Sequence, residues 1–470
     1  MDIKNIAIKY VMENSNNNSV QNIANIKCYE KLGEIECYNI LSLPVEEFCN
    51  RYNPDITKDY VYKNDFLTPR NVYLINPLYY LYYTYLTFKI VDEYLDINGD
   101  LNFSNENVHV FYAGLYSKQN SINTDHYKYI DSYKNFQEKR EEYIGKSALK
   151  IDIRDFFDSI KLTKLFEKLK RDIKRSESIK IVIELEYLLN YCEFDVLPQL
   201  NYSIASSILS QIYLMDFDHK IRLNMPFYST CIRYVDDMYF VNNLNEDIKE
   251  FNDWINLITH FLWEDNLNLN SFKTKILTEE EYEKHIKIPE NPYGRKNSLF
   301  IELINNKSLE VVFSSKFLQM INELSEVERM YGVDMKKYSE IVEIYLSVEG
   351  DYTNKVLSDI IYSGKWRLIN ENQLRGIIEN WKVILFNPLH FTVLFIMINH
   401  YFENESNINI KEVIDYLMDR EILTFRDLIL GVTVLLQYDF NNIDLLNKIS
   451  EIDGNFVHYI NKFILGSYVY

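Results

Sequence analysis

The spacing of apolar positions changes character along the chain, and the changes mark its elements. Residues 1 to about 60 read as short helices around a polar connector, Asn14 to Ser19. Asn71 to Ile75 reads as a strand that stops at Pro77, where a helix begins, because proline is tolerated in a first helical turn. A short aromatic strand is predicted over Val108 to Tyr116, and a polar helical stretch from Asp125 to Gly145. Ala148 to Ile153 reads as a buried strand that turns into a helix, with Asp152 near its end. Helical spacing follows over 161–192 and 204–221, separated by a loop opening at Leu197-Pro-Gln199. A hairpin is expected at 230–241, then a helix at 247–266 with Trp254 and Trp263 as core anchors. Leu267 to Ile276 is a loop running into a strand.

Strand, helix, loop, helix, hairpin, helix, strand describes an antiparallel sheet with helices on one face, an α+β arrangement. Beyond about residue 300 the spacing becomes helix after helix with short polar joints and no fixed-period repeat, suggesting an all-α helical array. The expected domains are 1–147, 148–300 and 301–470.

Composition changes this picture modestly. With 12 Gly and 9 Pro in 470 residues, breakers are scarce and long helices are favoured. The five cysteines, Cys28, Cys37, Cys49, Cys192 and Cys231, are scattered and form no CxxC pair, which argues against a disulfide framework or a zinc site. The N-terminus lacks a signal peptide's basic and apolar regions, and the apolar runs Phe391–Ile398 and Leu428–Leu436 fall short of the roughly 18–20 residues that span a bilayer. A cytoplasmic protein without a membrane partner is expected. The net charge of −19 weighs against nucleic acid, with one local exception. Between Lys161 and Arg175 seven basic residues meet only Glu167 and Asp172, which reads equally as a phosphate-binding surface or a solvated helix face.

The chemistry is carried by acids. Asp236 and Asp237 stand side by side in an apolar, β-prone run, where they repel each other and are costly to desolvate unless a cation sits between them. Phosphoryl transfer from a nucleoside triphosphate uses two divalent ions held by carboxylates, and Asp152 with Asp236 would supply them if strand and hairpin are neighbours. Singly, an Asp-Asp pair arises by chance and a strand-end Asp is usually a helix cap.

Together the signals are specific. Lys150-Ile-Asp-Ile-Arg-Asp-Phe-Phe-Asp-Ser-Ile160, Leu197-Pro-Gln199, Tyr234-Val-Asp-Asp237 and Leu269-Asn-Ser-Phe-Lys-Thr274 resemble, in order and approximate spacing, motifs A to D of reverse transcriptases. The likeness covers about 150–277, and 65–150 more loosely. It implies a fingers-palm fold followed by the helical domain, with Asp152, Asp236 and Asp237 as catalytic aspartates. The Ile153 carbonyl would be a further metal ligand, and the cofactor two Mg2+ ions, with Mn2+ as substitute. Phe157 matches the steric gate that favours deoxynucleotides; its ordinary alternative is a core ring. Gln199 matches the motif B glutamine that touches the incoming nucleotide, and Lys273 the motif D lysine that could protonate departing pyrophosphate. Arg70 could meet the triphosphate and Asp155 the nucleotide through its backbone; their alternatives are a surface arginine and a helix cap.

One departure stands out: Leu200 occupies the slot where the family places glycine, which puts conventional template handling in doubt. With the acidic charge, the missing basic thumb and the helical half, it makes the chain most similar to abortive-infection and related bacterial defence reverse transcriptases. That likeness implies an oligomeric, cytoplasmic antiphage polymerase of dNTPs, with DNA product attached through a tyrosine where synthesis is protein-primed. Tyr468 and Tyr470 qualify as primers on terminal mobility alone. The alternatives are a templated, retron-like enzyme bound to a structured non-coding RNA, and an inactive polymerase-fold scaffold.

Overall fold

The computed structural model describes residues 2–13, 19–59, 70–105, 107–112, 127–200, 203–244, 249–287, 298–348, 351–402, 443–451 and 453–465. They fall into two compact units, one within 1–59, 71–295 and 461–470, the other within 60–70 and 296–460.

The first unit is built on a six-stranded sheet in the order β3-β4-β7-β8-β5-β9: β3 Phe103–Ser104, β4 Val108–Phe111, β5 Ser147–Ile151, β7 Ser229–Tyr234, β8 Asp237–Asn242 and β9 Lys275–Leu277. A smaller sheet joins β1 Thr57–Asp59, β2 Val72–Leu74 and β6 Gln199–Leu200. Alternation along the strands divides the large sheet's side chains between two cores. Leu149, Ile151, Met238 and Phe240 face the main core with the helices α4 (Pro77–Asn98), α7 (Leu162–Ile173), α8 (Ser176–Tyr191) and α9 (Ile204–Asn224). Ala148, Ile232, Tyr239 and Val241 face the other way.

The sheet departs from expectation in two respects. β4 pairs parallel with β7, so the sheet is not wholly antiparallel. Nor do helices cover one face alone: α5 (Tyr127–Glu141) and α11 (Glu279–Lys287) pack on the second face through Tyr133, Phe136 and Tyr282. The reason is apolar demand, since Ile232, Tyr239 and Val241 on that face need cover.

Six of the 39 tyrosines lie in α4. Asn76 caps this helix by accepting from the Leu78 amide at 2.9 Å, and Pro77 opens its first turn. Tyr79, Tyr80, Tyr82, Tyr83 and Tyr85 are all buried, as expected for a helix apolar on every side. Three of these hydroxyls are engaged: Tyr79 and Tyr82 donate to the Tyr52 and Leu43 carbonyls at 2.8 Å, and Tyr83 meets Ser206 Oγ at 3.2 Å.

Trp254 is buried, but Trp263 is 68% exposed and is not a core anchor. The two lie on α10 (Glu250–Glu264), and nine positions at about 100° each put Trp263 on the opposite face. All five cysteines are free and buried.

In the second unit the described elements are helical, among them Ser298–Phe313, Lys316–Tyr331, Met335–Leu346, Asp351–Tyr362, Glu371–Glu379 and Pro388–Tyr401. They enclose a core of their own, with Phe317, Met320, Ile360, Trp366, Phe386 and Leu394. The apolar run Phe391–Ile398 lies within the 14-residue helix Pro388–Tyr401, and Leu428–Leu436 lies outside the described residues. Among the described residues no helix is long and apolar enough to cross a membrane.

Four of the seven cations of the basic run 161–175 are paired with acids, and one of them is buried. Lys170 pairs with Glu186 at 2.6 Å, Arg171 with Asp172 and Asp216 at 2.7 and 2.9 Å, and Arg175 with Glu93 at 3.5 Å. Lys168 is buried, its ammonium 2.8 Å from both Asp265 Oδ2 and the Tyr213 carbonyl. These side chains serve folding more than a phosphate-binding surface. Lys168→Ala leaves the Asp265 carboxylate buried without its cation and should cost about 3–5 kcal/mol. Urea unfolding of the variant beside wild type measures it, and a loss under about 1 kcal/mol would mean the pair behaves as an exposed one.

Candidate active site

The large sheet brings two of the three aspartates face to face. β5 and β8 pair antiparallel with Ile151 opposite Met238, so the register, continued one step, sets Asp152 opposite Asp237. Like charges in such positions are destabilising on their own. Asp152 is steadied by the loop before β9. Asn270 donates from Nδ2 to Asp152 Oδ1 at 2.9 Å and from its backbone to the Asp152 carbonyl at 2.9 Å. Lys273 Nζ lies 3.0 Å from Asp152 Oδ2. Motifs A and D therefore meet directly, and Lys273, 63% exposed, is free to swing away on its long stem.

Asp236 sits in the two-residue turn between β7 and β8, where Tyr234 pairs with Asp237. Val235, the first turn residue, has φ 54°, a left-handed conformation that a β-branched side chain adopts only under strain. Asp236 is half-buried. Its carboxyl is pushed from an ordinary 3.8 up to about 7, first by burial and then by the charges of Asp237 and Asp152. Three carboxylates thus share one end of the sheet with more negative charge than their surroundings offset.

The other candidates are distributed as follows. Ile153 is buried and bridges Leu269 just after the strand. Asp155 takes the position before the short helix Phe156–Ser159, at φ 43°, with no side-chain cap bond, and its carboxylate is 3.5 Å from Arg154. Phe157 is half-buried and tilts against Phe156 at 5.4 Å, so it combines core contact with an exposed edge. Gln199 forms β6 beside Val72, and Leu200 is buried and pairs with Tyr73. Arg70 is exposed ahead of β2, groups with the second unit, and is not among the residues assembled here. Tyr468 and Tyr470 lie outside the described residues.

Sequence reasoning missed Asn270. It stood inside the motif D segment, three residues before Lys273, and only the fold shows that this spacing lets both side chains reach Asp152.

The donors are hard oxygens, which suit Mg2+ or Mn2+. They do not form a closed cage: among the described residues no group of three His, Cys, Asp or Glu side chains converges tightly enough to hold an ion. Asp152 is taken up by Asn270 and Lys273 instead, so an ion at Asp152 Oδ2 competes with the lysine.

Residues 111–309 match the family model described as reverse transcriptase (RNA-dependent DNA polymerase). Among solved structures the chain is similar to telomerase from Candida albicans in complex with a TWJ fragment of telomeric RNA. The identity is 13%, covering 81% of this chain and 55% of that one, with a TM-score of 0.26. The chain thus spans about half the length of that protein. No curated protein matches by sequence.

The Asp236 environment predicts a pH dependence of stability. A native carboxyl near 7 holds its proton more tightly than an unfolded aspartate at about 3.9, so the folded state binds more protons between those values. Metal-free protein should lose stability, on the order of 2–4 kcal/mol, as pH rises from about 4 through about 7. Urea unfolding in chelator across that range tests this. Asp236→Asn should flatten the profile, and an equally steep profile in that variant would place the titrating group elsewhere.

Proposed function

We propose that this protein is a reverse-transcriptase-like DNA polymerase of antiphage defence, extending a hydroxyl with deoxynucleoside triphosphates at the carboxylate end of its large sheet. The observation that carries the reading is the convergence of motifs A, C and D: Asp152 opposite Asp237 in register, Asp236 in the adjoining turn, and Lys273 3.0 Å from Asp152. Asp152, Asp236, Asp237 and the Ile153 carbonyl would hold two Mg2+ ions. When bound, the ions lower the pKa of the attacking hydroxyl and offset charge on the triphosphate.

The chain's own residues do the rest. Lys273, released from its ion pair with Asp152, would give a proton to the departing pyrophosphate. Gln199, fixed by its pairing with β2, would touch the nucleotide, and the exposed edge of Phe157 would exclude a 2′-hydroxyl. Asp155 would meet the nucleotide through its backbone.

Leu200 supports an unconventional or absent template, since its side chain is packed in the core where glycine would leave open backbone. Protein priming would need an accessible tyrosine. The tyrosines of α4 are buried, and the hydroxyls of Tyr79, Tyr82 and Tyr83 are already engaged, which makes them unsuited to it. A homo-oligomer and a phage-protective role rest on the sequence likeness to defence enzymes.

Purified protein incubated with labelled dNTPs and Mg2+, with and without primer-template, tests the reading. Product that stays with denatured protein until protease releases it supports protein priming; product only with added primer-template favours the templated, RNA-associated alternative. Asp236→Ala should abolish synthesis and phage protection together, and retained synthesis would refute the assignment. Lys273→Ala should lower kcat by about 10²–10³-fold with the nucleotide KM within about threefold. No synthesis by wild type in any condition would favour the inactive scaffold.

A further inference from the structure

We infer that Arg233 is the positioning residue of the Val235-Asp236 turn, holding Asp236 from the core side of the sheet. The inference rests on the reading of Asp236 as a metal ligand. Arg233 is fully buried on β7, on the face opposite Tyr234, and its side-chain hydrogen-bond partners do not include Asp152, Asp236 or Asp237. Each nitrogen of its guanidinium has a partner. Nη1 donates to the Val235 carbonyl at 2.7 Å, and Nε to Asp218 Oδ1 at 2.8 Å. Nη2 donates to Asp218 Oδ2 and, at 3.0 Å, to Gln211 Oε1. Asp218 and Gln211 are themselves buried on α9, and Gln211 Nε2 donates to the Leu101 carbonyl at 3.1 Å.

The Val235 carbonyl belongs to the same peptide plane as the Asp236 amide. Fixing it fixes the backbone from which the Asp236 side chain departs. On the other side the Val235 amide reaches the Phe111 carbonyl at 3.4 Å. Valine is a poor choice for φ 54°, where glycine is the usual solution, so the turn needs an external hold. A planar fork anchored to a rigid helix supplies it, because one end can grip Asp218 bidentately while another reaches the carbonyl. A lysine in that place keeps the charge opposite Asp218 but offers no second fixed donor.

The test compares wild type, Arg233→Lys, Val235→Gly, the double variant, and Leu209→Ala, a core truncation on α9 outside the network. Mn2+ affinity of the protein alone is read by electron paramagnetic resonance, beside Tm, kcat and nucleotide KM. Arg233→Lys should weaken Mn2+ binding about tenfold or more and lower kcat by a similar factor, with nucleotide KM little changed. Leu209→Ala should lower Tm without moving Mn2+ affinity. Because glycine takes the left-handed turn freely, Arg233→Lys should cost less Tm in the Val235→Gly background than in wild type. Unchanged Mn2+ affinity in Arg233→Lys, an equal loss in Leu209→Ala, or additive Tm losses would each overturn the inference. So would failure of Arg233→Lys to fold in both backgrounds, which would assign the pair to global stability. Wild type that binds no Mn2+ overturns the metal reading instead, and the Tm coupling then decides whether Arg233 holds the turn.

Discussion

Repulsion among Asp152, Asp236 and Asp237 is the constraint to which the first unit answers. Strand register alone would bring two of them opposite each other, and the hairpin adds the third next to them. A sequence selected only for stability would not keep three acids there, because each raises the cost of ionising the others. The structure meets the cost in pieces: Asn270 and Lys273 engage Asp152, while Asp236 keeps its proton up to about neutral pH. Everything that fixes these three carboxylates works against their tendency to separate. Rigid β pairing on both sides of β5 therefore holds the carboxylates together against their repulsion.

Much of this was legible in the sequence for a local reason. Asp152 follows an alternating strand, and the Asp-Asp pair occupies a short hairpin, so each piece declares its own element. Their juxtaposition was legible only through motif order. What stayed hidden depends on partners distant in sequence. Asn270 reaches Asp152 across 118 residues, and nothing in its neighbourhood marks it as more than a turn residue. Trp263 was misassigned because helical phase, not residue type, decides which tryptophan of α10 is buried. The parallel β4–β7 pair was hidden as well, since a strand's own pattern does not say in which direction its neighbour runs.

The basic run of α7 shows the same limit for charge. Counted along the chain, its cations suggest a patch for phosphate; counted in space, Glu186, Asp172, Asp216, Asp265 and Glu93 return most of them to neutrality. Buried Lys168 gives the clearest instance, since an ammonium with its carboxylate inside the core has no field left to offer a polyanion. Linear charge density is thus a poor guide wherever acids lie beside a helix's cations.

Leu200 joins core and chemistry in one residue. Its backbone pairs with Tyr73 and its side chain is buried, so Gln199 is held in place by a strand on one side and a packed side chain on the next. Glycine there would leave a mobile backbone that nucleic acid could approach closely. Leucine exchanges that freedom for a fixed glutamine, and moving the segment toward a template would require extracting an apolar side chain from the core. On the proposed reading, the site is organised to hold a nucleotide firmly while giving a template strand little purchase. That division fits an enzyme whose substrate is defined by its triphosphate more than by a base-pairing partner.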